Sequence, residues 1–192
     1  VDKPVRTYQS KIFSFGFDVR YPDMVGESTP QLREERRKRN IFTTTWISVG
    51  ISSSSRYYGN ESLDRLARAT VDTPNEILKY RNYEKLPDEQ YGLTVYAASG
   101  VDPKTNKPYR QDDDAKDVFI YRNANGNVIT YIDCSNRQIE SARCEQTVSL
   151  EPFMKAEADI HYRRGLPSEW QKIQEPVTQL IYSFKVPAAE QK

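Results

Sequence analysis

The sequence predicts an α+β protein, a mostly antiparallel sheet with helices packed on one face. Three observations point there. Runs rich in β-formers alternate apolar and polar residues along the chain, an Asn125-Gly126 hairpin signal separates two of them, and an amphipathic helix closes the sequence. The 192 residues suit a single α+β domain over 1–192. The order strand, strand, helix recurs in each half, which points to two related lobes, 1–88 and 89–192.

The elements follow from periodicity. Over 12–21, Phe13, Phe15, Phe17, Val19 and Tyr21 share one face and Ser14, Gly16, Asp18 and Arg20 the other, the pattern of a half-buried strand. A polar loop to Pro30 leads into a charged helix over Gln31–Arg39. Phe42–Ser53 reads as a strand with Trp46 on one face and Ile47, Val49 and Ile51 on the other, closed by the serine run Ser52–Ser55. Asn60 suits the cap of a helix to Ala69 with Leu63, Leu66 and Ala67 inward, and Thr73-Pro74 suits the start of another carrying Ile77 and Leu78. Tyr91, Leu93, Val95 and Ala97 alternate as a further strand, and Gly100–Lys116 is a long polar loop.

Val118–Asp133 carries the hairpin. A turn at Asn125-Gly126 would set Phe119 opposite Ile132 and Ile120 opposite Tyr131. Glu145–Leu150 and Ala156–Tyr162 are further strands. Ser168 and Gln171 have capping-box spacing at the head of a helix to Lys185, with Trp170, Ile173, Val177, Leu180, Ile181 and Phe184 as its apolar stripe. Pro176 should bend or split that helix.

Composition excludes several functions. Twenty-eight basic residues stand against twenty-seven acidic ones, a net charge of +1, which argues against a protein built to grip phosphate backbones and hence against a nucleic-acid partner. No apolar run approaches the roughly 20 residues of a membrane helix. His161 is the single histidine, so imidazole-based chemistry has little to work with, and its strand face is the one opposite Ile160 and Tyr162. There is no Gly-x-Ser-x-Gly elbow and no glycine-rich phosphate loop. No cofactor or metal motif is present, and a carboxylate pair that meets only in space stays open.

Four features remain. Cys134 and Cys144 close the connection between two strands, a placement that suits a disulfide worth about 2–3 kcal/mol and an oxidising compartment; two buried free thiols or a redox pair, which usually has two intervening residues, are the alternatives. Asp112, Asp113, Asp114 and Asp117 form an acidic loop without the alternating spacing of a calcium site, read as solvated, as a partner-facing finger or as a metal site. Arg33, Arg36, Arg37, Lys38 and Arg39 form a basic run diluted by Glu34 and Glu35 and without stacking aromatics, read as an exposed helix face. Tyr57 and Tyr58 offer contact surface at the end of a strand. Tyr57, Tyr58, Asp112, Asp113 and Asp114 are the candidate partner contacts. The chain starts at Val1 rather than Met, which suits a processed product.

Cys134, Cys144, the alternating strand to Tyr162, the segment Arg163-Arg164-Gly165-Leu166-Pro167-Ser168-Glu169-Trp170-Gln171-Lys172-Ile173 and the closing helix resemble the C-terminal portion of a known group, mainly over 134–185. That group is the immunity proteins encoded beside phospholipase effectors of bacterial type VI secretion systems. The resemblance implies a non-enzymatic periplasmic inhibitor. Such a protein binds a lipase or phospholipase toxin and blocks its active site or its access to the membrane. A removed signal sequence or N-terminal lipid anchor would be its one link to a membrane. Two rival readings are a periplasmic envelope lipoprotein, which would show an aromatic-lined pocket for a small ligand or hold an assembly partner, and a hydrolase built on two buried acids.

Overall fold

A computed structural model describes residues 13–40, 42–53, 57–59, 61–139 and 141–184. In chain order the strands are β1 (Ser14–Arg20), β2 (Val25–Gly26), β3 (Trp46–Ser53), β4 (Tyr83–Lys85), β5 (Thr94–Ala98), β6 (Val101–Asp102), β7 (Lys107–Pro108), β8 (Lys116–Arg122), β9 (Val128–Ser135), β10 (Arg143–Ser149) and β11 (Ala156–Arg163). The helices are α1 (Pro30–Arg37), α2 (Ser62–Ala67, continued by a π turn to Asp72) and α3 (Trp170–Ser183). Nine strands form one sheet in the order β2-β1-β3-β11-β10-β9-β8-β5-β4, each neighbouring pair antiparallel, and β6 with β7 makes a small separate hairpin.

The expected α+β architecture is present, and its helices divide between the two faces. The burial of β11 alternates strictly, with Ala156, Ala158, Ile160 and Tyr162 buried. That face joins Val49, Ile51, Val148 and Ile132 in a core that α3 covers with Trp170, Ile173, Val177 and Ile181. On the other face α2 lays Leu63 and Ala67 against Val118, Ile120, Val128 and Tyr131. The fit of α3 also depends on a buried polar cluster. Tyr162 donates to Gln146 Oε1 at 2.9 Å, and Gln146 Nε2 (2.7 Å) and Thr130 Oγ1 (2.9 Å) donate to Gln174 Oε1. Gln146 is fully buried, so these bonds satisfy groups that would otherwise be costly to hide.

The hairpin register is as expected, with Phe119 opposite Ile132 and Ile120 opposite Tyr131. Its turn is not the two-residue form. Asn123 N donates to Asn127 O at 3.0 Å, Gly126 N donates to Asn123 O at 2.9 Å, and Gly126 alone takes positive φ (84°), so the loop is the three residues 124–126. The register survives because Tyr121 pairs with Thr130 while Arg122 pairs with Val128, leaving Ile129 as a bulge. The extra residue lets Val128 face α2 and Thr130 face α3.

Several local expectations need correction. The helix expected from Thr73 does not form. Asn75 Oδ1 accepts from the backbone N–H of Ile77 (3.0 Å) and Leu78 (2.8 Å), an alternative to helical bonding, and Ile77 is 90% exposed. Leu66 is exposed. The Asn60 cap, Ser54, Ser55 and Lys185 lie outside the described residues. Ser168 falls in a 3-10 turn (Pro167–Glu169), and α3 starts after Glu169 without a side-chain cap. Pro176 lies inside α3, which continues through it as one helix. The 100–116 loop is partly built: Gly100 lies so close to the backbone of Tyr80 that a Cβ there would sit 2.2 Å from Tyr80 Cα. Tyr80 and Tyr109 stack edge-on at 5.4 Å beside buried Ala98 and Ala115.

Cys134 and Cys144 sit directly opposite each other on β9 and β10 and are joined as a disulfide within the core. The Cys134→Ala/Cys144→Ala double variant should lose about 2–3 kcal/mol in urea unfolding from loop-closure entropy. An unchanged midpoint would show that the sheet alone holds this register.

Candidate functional site

Asp117, at the start of β8, organises one end of the sheet. Its side chain is 3% exposed and accepts from Arg110 Nε (3.0 Å) and Nη2 (2.7 Å), Asn136 Nδ2 (2.9 Å) and Arg164 Nη2 (3.4 Å). It is therefore no member of a solvated acidic loop. Two guanidiniums and an amide compensate its burial. Arg164 also donates to Ser135 O and Asn136 Oδ1, Asn136 N donates to Ala115 O, and Arg137 Nε donates to Asp113 O at 3.1 Å. Segments 110–117 and 135–137 and the end of β11 are thereby tied together.

These segments wall a cleft of about 640 Å³ on the sheet face away from α3. Its cationic lining is Arg39, Lys116, Arg137, Arg143 and Arg163, with Asp113 and Asp114 as the acidic counterweight. Strand register explains the concentration. Arg143 pairs directly with Arg163 across β10 and β11, and Ser135 pairs with Lys116 across β9 and β8. The next row inward is Ser48, His161, Glu145 and Asp133, each opposite its neighbour. Lys116 Nζ reaches Asp133 at 2.6 Å and His161 Nδ1 lies 3.8 Å from Glu145.

Burial, with Asp133 and Asp159 nearby, pushes the Glu145 carboxyl up, and His161 offsets part of the shift. Glu157 is also raised, chiefly by burial. Both are only partly buried, and neither lines the cleft. Among the described residues no three His, Cys, Asp or Glu side chains gather as a metal site.

The structure separates the candidate partner contacts. Asp113 and Asp114 line the cleft, and Asp112 shapes their loop by accepting from Asp114 N at 2.9 Å. Tyr57 lies beyond the opposite end of β10, its hydroxyl donating to Glu151 at 3.4 Å. Tyr58 is 73% exposed there with Arg65 over its ring. Of the basic run, Arg39 alone enters the cleft; Arg36 pairs with Asp18 and Glu27, and Arg37 and Lys38 pair with Glu34. Arg143 and Arg163 are missed by apolar alternation because they lie just outside the strands it draws. The cysteine pair is the signal that could have found them: setting Cys134 opposite Cys144 extends β10 back to Arg143.

Neither a protein-family model nor a curated protein matches the sequence. Among solved structures, an immunity protein of the Stenotrophomonas maltophilia type IV secretion system superposes with a TM-score of 0.62 at 19% identity. The match covers 88% of this chain and 80% of that one. The likeness is one of fold.

Two outcomes follow from the geometry. Asp117→Ala should cost about 2–4 kcal/mol and raise amide exchange over 112–114 and 135–139; an unchanged exchange pattern would remove Asp117 as the organiser of the wall. A raised carboxyl pKa means the native state keeps a proton that the unfolded chain releases. The Glu145 contribution is therefore full below the ordinary value of 4.5 and is lost as pH rises through the folded value. Urea midpoints of Glu145→Gln measured from pH 4 to 7 should fall less with rising pH than those of the parent.

Proposed function

We propose that this chain is an immunity protein that binds and neutralises a toxin of a bacterial secretion system. The single observation that carries this reading is the fold shared, over most of both chains, with a secretion-system immunity protein. The resemblance of residues 134–185 to immunity proteins points the same way by a separate route. That resemblance names type VI secretion and the structural neighbour type IV, and an immunity protein is common to both. The lipase or phospholipase nature of the toxin rests on the resemblance alone.

The mechanism is steric. A protein interface of ordinary size, near 1,600 Å², covers the toxin's active site or the surface that reaches the membrane, and no residue of this chain performs chemistry. The periplasm is the fitting compartment, since Cys134–Cys144 needs an oxidising environment. No helix among the described residues is long and apolar enough to cross a membrane. The small-ligand alternative calls for an aromatic lining, whereas arginines and polar groups dominate the cleft.

The product of the adjacent toxin gene should co-elute with this chain at 1:1 and lose its toxicity when the two are co-expressed. Phospholipid-vesicle hydrolysis by that toxin should fall to baseline at one equivalent of this chain. A toxin that fails to co-elute overturns the immunity reading; one that is neutralised yet cleaves no lipid overturns only the lipase assignment.

A further inference from the structure

The net charge of the chain is +1, yet Arg39, Lys116, Arg137, Arg143 and Arg163 gather on one cleft. Six arginines elsewhere are paired with carboxylates: Arg20 with Asp23 and Glu35, Arg36 with Asp18 and Glu27, Arg37 with Glu34, Arg110 and Arg164 with Asp117, and Arg122 with Asp64, while Arg33, Arg65, Arg68 and Arg81 stand scattered without an ion pair among the described residues. The four cleft arginines form no ion pair with the described residues. Arg137 and Arg39 reach only backbone carbonyls, those of Asp113 and Arg36. Arg163 Nε is buried without an acceptor, and its Nη1 reaches Phe42 O at only 3.5 Å.

Arg143 and Arg163 are moreover direct cross-strand partners on the same face. Like charges at that position repel, and folding alone gives no reason to place them there. A sequence selected only for stability would put a carboxylate at one of the two. The wall around them is held by the Asp117 cluster, which ties Arg110, Asn136 and Arg164 together, and by Arg137 donating to Asp113 O. A planar carboxylate set between the two guanidiniums would remove the repulsion.

Resting on the immunity reading, we propose that this cleft is the partner-docking site and that its occupant is an acidic segment of the toxin. Side-chain carboxylates of that segment lie between Arg143 and Arg163, with Arg39 and Arg137 at the flanks. Such a site steers an acidic partner toward the cleft as well as holding it, so association is sensitive to salt.

The test uses a fluorescein-labelled hexaglutamate peptide and, as a competing anion, a labelled six-nucleotide DNA strand, each titrated with the intact chain at 20 and 300 mM NaCl. Hexaglutamate should bind at low salt, weaken at high salt and lose at least tenfold in affinity to Arg143→Glu and to Arg163→Glu. Arg68→Glu, the same charge change at an exposed turn outside the cleft, should leave it unchanged. Arg143→Gln is the variant that separates binding from folding: it should weaken the peptide while its melting temperature stays level or rises. Absence of hexaglutamate binding at 20 mM NaCl, indifference to Arg143→Glu, or DNA bound as tightly as the peptide would overturn the proposal. Capture of the toxin gives a second arm. A toxin held equally by the parent and by Arg143→Glu overturns the cleft and leaves the immunity reading standing. A toxin held by neither overturns the immunity reading, and the peptide titration alone then decides whether the cleft takes carboxylates.

Discussion

The polar face of this protein depends on one covalent constraint, the bond that sets Cys134 opposite Cys144. A one-residue slip between β9 and β10 would turn every side chain of one strand to the wrong face. With the sulfurs joined, Glu145 must lie opposite Asp133 and Gln146 opposite Ile132. The buried Gln146–Tyr162–Gln174 cluster then locks β10, β11 and α3 together beneath that face. Arg143 beside Arg163 and the row Ser48, His161, Glu145 and Asp133 are consequences of the same register.

The two faces are built by different rules. Toward α3 the sheet presents alternating aliphatic residues, and their burial supplies stability in proportion to the apolar area removed from water. On the opposite face α2 lays its apolar residues on β8 and β9 and reaches β10, and the end of the sheet away from it is left to carboxylates, one imidazole and unpaired guanidiniums. Glu145 with a raised pKa and the Arg143–Arg163 pair both oppose folding. Local arrangements that oppose folding tend to be kept where a surface has work to do with another molecule.

Much of the fold was legible in the sequence, because alternation is a local signal that strand pairing preserves. Phe17 and Val19 on β1, Ile47, Val49 and Ile51 on β3, and Ile160 and Tyr162 on β11 occupy the face their spacing assigns. What was not legible lay in interactions between distant segments or in a competing local bond. Thr73-Pro74 has the form of a helix start, but the amide oxygen of Asn75 captures the next backbone N–H groups. Asp117 looks like one more aspartate of a wet loop, since nothing local announces Arg110, Asn136 and Arg164 as its partners. The cleft is invisible for the same reason: its arginines come from four separate stretches of chain, and only the register gathers them. Tyr57 and Tyr58 lie at the other end of the sheet from this cleft.

Amide hydrogen exchange of the chain with and without its toxin locates the contact most directly. Docking in the cationic cleft predicts slowed exchange over 135–139 and 42–46, with 57–59 and 151–153 unaffected. Slowed exchange confined to 57–59 and 151–153 would contradict it and place the partner on the tyrosine end instead.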